Sequence, residues 1–104
     1  MTYSEKLVRD KIPSLIQAGG REPHIRFAAL NEYPALLAEK LIEEALEFKA
    51  DGTLEELADV TEVLLALLQC HGWSWADLEV LRKQKYSTHG GFKCGTVLEG
   101  TNLK

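Results

Sequence analysis

The chain has 104 residues and a formal net charge of −4, enough for one domain (1–104) with a modest core and not for two. That charge and a pI near 5.3 argue against a nucleic-acid-binding surface, which needs a clustered excess of Lys and Arg. The longest apolar run, Val63 to Leu68, falls far below the roughly 20 residues of a membrane span. The two cysteines, Cys70 and Cys94, lack CxxC spacing, and no charged-then-apolar export segment opens the chain. The expectation is a reduced cytoplasmic protein.

A first helix is expected near residues 10–18, with Asp10 as its cap, Pro13 in its first turn and Gly19-Gly20 as its stop. Residues 21–30 carry no helical period, and His24-Ile25-Arg26-Phe27 is a loop with room for an extended stretch. A second helix is expected near 32–50, with Pro34 in its first turn and Asp51-Gly52 as its break. Thr53 then forms a capping box with Glu56 for a third helix near 54–71, ended by Gly72. Ser74, supported by Asp77, caps a fourth near 74–87. Beyond it, His89-Gly90-Gly91-Phe92 through Leu98 reads as a glycine-rich tail with at most a short strand. The fold class is mainly α, about four helices with a short glycine-rich tail, and the short link between helices two and three makes them an antiparallel hairpin.

Those two helices carry the chemistry. Glu44 and Glu47 lie three residues apart on one, Glu56 and Asp59 three apart on the other, so each pair shares a helix face. At roughly 100° per residue, Glu56 falls inside the apolar arc of Val60, Val63, Leu64 and Leu67, and Asp59 sits at its edge. Glu44 borders the arc of Leu37, Leu41 and Phe48, with Glu47 one step further out, whereas Glu55 and Glu62 face solvent. An ionised carboxylate within an apolar arc calls for a cation, a metal or a raised pKa. Four such carboxylates on a hairpin suit a hard divalent ion such as Mg²⁺, with Mn²⁺ as a substitute. The plain alternative is a pair of amphipathic helices with surface acids, Lys40 pairing with Glu44 at i+4. Glu56 also carries two demands at once, since a capping side chain reaches back to the backbone rather than out to a metal.

At these residues the chain resembles the all-α nucleoside triphosphate pyrophosphohydrolase superfamily, the MazG-like and phosphoribosyl-ATP pyrophosphatase-like proteins. The acidic signature EExxE followed by ExxD is matched by Glu43-Glu44-Ala45-Leu46-Glu47 and Glu56-Leu57-Ala58-Asp59. Lys6-Leu7-Val8-Arg9-Asp10-Lys11-Ile12-Pro13 is similar to the opening of one branch, and Gly90-Gly91-Phe92 with Gly95-Thr96-Val97-Leu98 to its closing segment. The resemblance implies a MazG-like helical bundle, Mg²⁺ held by Glu44, Glu47, Glu56 and Asp59, and Glu43 in support. It also implies hydrolysis of canonical or non-canonical nucleoside triphosphates to monophosphate and pyrophosphate, a house-cleaning activity, in a homodimer or dimer of dimers. His89 stands where the branch carries Arg, which makes a phosphate contact there weaker and pH-dependent.

Phosphates not covered by metal need cations, and the candidates are Lys6, Arg9, Lys11 and Lys85, with Arg9 best placed by the resemblance. Trp73 and Trp75, around the Ser74 cap, fit packing better than base stacking. Two other readings compete with the nucleotide pyrophosphohydrolase: a phosphoribosyl-ATP pyrophosphatase of histidine biosynthesis, against which the KLVRDKIP opening speaks, and a non-catalytic helical dimer module whose acids are structural.

Overall fold

A computed structural model describes residues 5–103. It contains helices α1 (Ile12–Ala18), α2 (Tyr33–Asp51), α3 (Leu54–His71) and α4 (Trp75–His89), with no strand among the described residues. The chain divides into two compact units, Met1–Gly72 and Trp73–Lys104.

In the first unit, α1 starts later than the sequence suggests. Asp10 does not cap it: the bond from the Ile12 N–H to the Arg9 carbonyl, 3.0 Å, folds residues 10 and 11 into a turn, and Lys11 occupies the cap position with no side-chain bond to the helix. Pro13 sits in the first turn, and Gly19 and Gly20 close the helix by donating back to Ile16 and Gln17. The stretch His24–Phe27 is loop and not strand. Side chains hold this region instead of a ladder: Arg26 pairs with Glu32 and Glu5, and the Glu32 carboxylate accepts the Ala29 N–H at 3.0 Å.

Helix α2 ends at Gly52, whose φ of +64° is the left-handed conformation that glycine adopts without strain. With only Gly52 and Thr53 between them, α3 must reverse along α2. The acids facing one another confirm the antiparallel register: Glu56 of α3 meets Asp51 and Glu47 of α2, and Asp59, one turn further along α3, groups with Glu56 and with Glu44, further back on α2. Leu37, Val63 and Leu68 are the buried apolar side chains of this hairpin, each contributing roughly 1.5–3 kcal/mol. Leu36, Leu41, Phe48, Val60, Leu64 and Leu67 are half-buried around them.

The second unit begins with the Ser74 cap of α4. Its hydroxyl accepts the Asp77 N–H at 3.0 Å, and the Asp77 carboxylate accepts the Ser74 N–H at 2.9 Å, a closed capping box. The helix runs two residues past the expected end and stops at Gly90, whose φ of +79° and ψ of −173° belong to a region essentially restricted to glycine. Gly91 then lies so close to the Tyr86 ring that a Cβ there would sit 3.1 Å from Cε2. No side chain of α4 is buried, and Trp73 and Trp75 are both exposed. Among the described residues no helix is long and apolar enough to cross a membrane.

Candidate metal centre

The site is built on the facing sides of α2 and α3. Two groups of three carboxylates each place one oxygen per residue within 4.8 Å of the others: Glu43, Glu44 and Glu47, and Glu44, Glu56 and Asp59. Glu44 belongs to both. The four acids expected to hold a metal are thus divided between two groups joined through Glu44, with Glu43 beside Glu47 in the first.

The depth of these side chains differs from the sequence expectation. Helical-wheel geometry places Glu56 deepest, yet Glu44 is the buried acid, 6% exposed, while Glu56 and Asp59 are half-buried and Glu47 is exposed. The reason is the partner surface. A wheel records only the apolar arc of a single helix, whereas α3 and the segment before α1 both lie along the side of α2 that bears Glu44. Glu55 and Glu62 are exposed, as expected of the polar side of α3.

Glu44 is only half satisfied. Its Oε1 lies 3.2 Å from Lys40 Nζ, but its Oε2 is buried with no hydrogen-bond partner. A buried carboxylate oxygen left unpaired is costly. Glu44 also offers an oxygen to the group with Glu56 and Asp59, and that donor set, carboxylate oxygens with no sulfur and no imidazole, is of the kind that would hold Mg²⁺.

The electrostatics describe a site short of positive charge. Coulombic repulsion from Glu44, with desolvation behind it, pushes the Glu47 carboxyl above its ordinary pKa. Partial burial, then the charges of Glu47, Asp51 and Asp59, do the same to Glu56. Burial works against ionisation of Glu43 as well, but Lys6 and Lys40 overcome it and hold its pKa below the usual value. Lys40 itself is penalised by burial, and Glu44 and Glu43 more than offset that, raising its pKa. Protein cations therefore neutralise the Glu43 side of the cluster, and the Glu47/Glu56 side is left in mutual repulsion.

Of the candidate phosphate-binding cations, Lys6 and Arg9 reach the cluster. Lys6 Nζ lies 3.0 Å from Glu43 Oε1, and Arg9 Nη2 lies 2.8 Å from Asp59 Oδ1. Lys11 is exposed at the N-cap of α1, away from any ion pair among the described residues. Lys85 belongs to the second unit, where it lines a groove of about 510 Å³ with Arg82, Tyr86, His89, Gly90, Gly91 and Phe92. His89 accepts or donates a bond with the Thr88 hydroxyl at 2.7 Å there.

Sequence reasoning missed one member of the site and half the role of another. Asp51 faces Glu56 across the hairpin turn and adds to its repulsion; its place at the end of α2, next to the two-residue connection, is the signal that could have found it. Lys40 belongs to the site through both Glu43, at 3.2 Å, and Glu44, beyond the i+4 pair that its spacing suggests.

Over 48 residues the chain is 52% identical to an uncharacterized protein of Mycolicibacterium smegmatis, a stretch making up 46% of this chain and 49% of that relative. The chain thus spans about half the length of the relative it matches. No protein-family model matches the chain. No solved structure matches it.

Proposed function

We propose that the first unit is a Mg²⁺-dependent nucleoside triphosphate pyrophosphohydrolase of the MazG-like kind, with Glu44, Glu47, Glu56 and Asp59 as the metal-binding acids. The observation that carries this reading is buried Glu44, whose Oε2 has no partner and which offers a carboxylate oxygen within 4.8 Å of ligand oxygens from Glu56 and Asp59. Acid clusters are common on helix surfaces, but an orphaned oxygen on a buried member is not. The EExxE and ExxD signature and its flanks support the same conclusion.

The reaction is hydrolysis of the bond between the α- and β-phosphates: water adds its oxygen to phosphorus, pyrophosphate leaves, and one proton is released. A bound Mg²⁺ would supply a water of lowered pKa and offset the triphosphate charge. The four acids hold and orient that ion, and Glu43, tied to Lys6 and Lys40, keeps α2 and the segment before α1 in place around it. Arg9, the best-placed cation, meets the phosphates. Substrates are canonical or non-canonical nucleoside triphosphates.

A second copy of the chain is proposed as partner, in a homodimer or dimer of dimers. Helix α2 carries a second apolar stripe away from its buried side: Ala35, Ala38, Ile42, Ala45 and Leu46 recur at helical spacing and are all exposed, Ile42 and Leu46 at 61% and 60%. Joined by exposed Leu54 and Leu57 of α3, this surface suits self-association of the hairpin.

The test is turnover of a nucleotide panel, phosphoribosyl-ATP included, with and without Mg²⁺, read as pyrophosphate release and followed by light scattering of the same sample. Pyrophosphate from nucleoside triphosphates, lost with EDTA and in Glu44→Gln, supports the proposal. Turnover of phosphoribosyl-ATP alone moves the protein to the histidine pathway. A dimer with no turnover of any nucleotide leaves the acids structural and sinks the enzyme reading.

A further inference from the structure

The segment ahead of α1 crosses the hairpin at the acidic cluster and touches both helices. Lys6 reaches α2 through Glu43, and Arg9 reaches α3 through Asp59. Between them Leu7 is half-buried, and it lines a groove with Leu36 and Lys40 of α2. The backbone of residues 5–8 makes no hydrogen bond to either helix among the described residues; the segment's backbone tie is the Arg9 carbonyl to the Ile12 N–H, at its own end. One half-buried leucine, the two ion pairs to the hairpin and, at its start, the Glu5 pair with Arg26 at 3.2 Å therefore hold it down. Both pairs are accessible to water, with the Lys6 and Arg9 side chains 55% and 52% exposed. Pairs of that kind hold weakly.

Arg9 and a divalent ion would compete for the same group. Asp59 gives Oδ1 to the Arg9 guanidinium at 2.8 Å, and the same carboxylate belongs to the cluster with Glu44 and Glu56. A guanidinium bound to a carboxylate oxygen and a divalent cation bound to that carboxylate repel one another at such separations. An ion there would also gather oxygens from several carboxylates, half-satisfied Glu44 among them, whereas Arg9 engages one.

We propose that residues 6–11 form a displaceable cationic strap: Arg9 holds Asp59 when no divalent ion is bound, and binding of the ion releases it, freeing the guanidinium to meet an anionic substrate. This rests on the reading of the acidic cluster as a metal centre. The strap keeps metal-free α2 and α3 from splaying under their own repulsion, and it couples loading of the ion to presentation of a phosphate-binding cation. Lys6 differs from Arg9 in that its partner Glu43, although grouped with Glu44 and Glu47, is not one of the four acids proposed to hold the metal and is also held by Lys40, so Lys6 stays as the pivot.

The experiment is a Mg²⁺ titration without nucleotide, read by calorimetry and by the Nε–H resonance of Arg9, assigned from its loss in Arg9→Met. In the wild type that resonance should move from its ion-paired position to that of an exposed guanidinium as Mg²⁺ saturates. Arg9→Met should bind Mg²⁺ roughly two- to fivefold more tightly, the gain expected from removing an exposed ion pair, and Arg9→Lys should fall between. Lys11→Met removes the same charge from the same segment without an ion pair, and its affinity should stay near wild type. Mg²⁺ binding that leaves the Arg9 resonance in place overturns the strap while leaving the metal centre standing. Equal gains in Arg9→Met and Lys11→Met do the same, because the effect is then long-range charge alone. A wild type that binds no Mg²⁺ at millimolar concentration overturns the metal centre and the strap together.

Discussion

Helices α3 and α4 begin with the same local device and put it to opposite uses. Each has a hydroxyl at the cap, Thr53 or Ser74, which accepts the backbone N–H of an acidic residue three positions on, at 3.3 Å from Glu56 and 3.0 Å from Asp77. On α4 the acid returns the bond: Asp77 accepts the Ser74 N–H, and those bonds to Ser74 hold its pKa below the ordinary value. On α3 the second half of the box does not form. Glu56 turns to the cluster shared with Glu44 and Asp59, where partial burial and neighbouring acids push its pKa up. Identical spacing thus gives a closed, stabilising cap on α4 and, on α3, an acid in mutual repulsion where α2 lies alongside. The difference marks Glu56 as a residue serving something other than its own helix.

The largest contrast should appear in turnover. Glu56→Gln and Asp59→Asn keep side-chain size but remove charge that the metal needs, so Mg²⁺-dependent hydrolysis should fall about 100-fold or more, whereas Asp77→Asn should leave it within about twofold. Assaying pyrophosphate release for the three variants side by side tests this, and equal rates would erase the distinction between the two boxes.

Stability should respond the other way round. Ser74→Ala removes the acceptor of a closed box and should cost about 1 kcal/mol, seen as a lower urea midpoint and faster exchange of the first-turn amides of α4. Glu56→Gln in the metal-free protein should raise the melting temperature by a degree or two at pH 7, because it relieves repulsion.

The pH dependence sharpens the pair further, since the two acids have shifts of opposite sign. The folded pKa of Glu56 lies above its ordinary 4.5, so its contribution is most favourable below pH 4.5 and is lost as pH rises through the folded value. The advantage of Glu56→Gln should therefore vanish on acidification below about 4.5. Asp77 lies below its ordinary 3.8, so its contribution is present above that pH and is lost as pH falls through the folded value. Melting curves of wild type, Glu56→Gln and Asp77→Asn between pH 3 and 7 read both signs. The smallest effect belongs to Glu62→Gln: this acid is exposed on the solvent side of α3, and both turnover and melting temperature should match wild type.

Most of the secondary structure is determined by short-range chemistry, and it was legible for that reason. Pro34, Gly52, Thr53, Gly72 and Ser74 punctuate α2, α3 and α4 through backbone conformations and caps that depend on a few neighbouring residues. The two-residue link at Gly52-Thr53 also fixes the antiparallel hairpin, and the i, i+3 spacing of Glu44/Glu47 and Glu56/Asp59 then brings the acids together. Errors arose where a local device had a competitor. Asp10 had the chemistry of a cap, but a turn closed by Arg9 and Ile12 took its place. Which acid is buried was not legible either, because burial of Glu44 depends on what packs against α2, and one helix's wheel contains no record of its neighbours. The ion pairs of Lys6 with Glu43 and Arg9 with Asp59 join residues 37 and 50 positions apart. Sequence alone supplied the charges; only the folded chain decided which of them meet, since contacts at that separation are set by the path of the backbone between them.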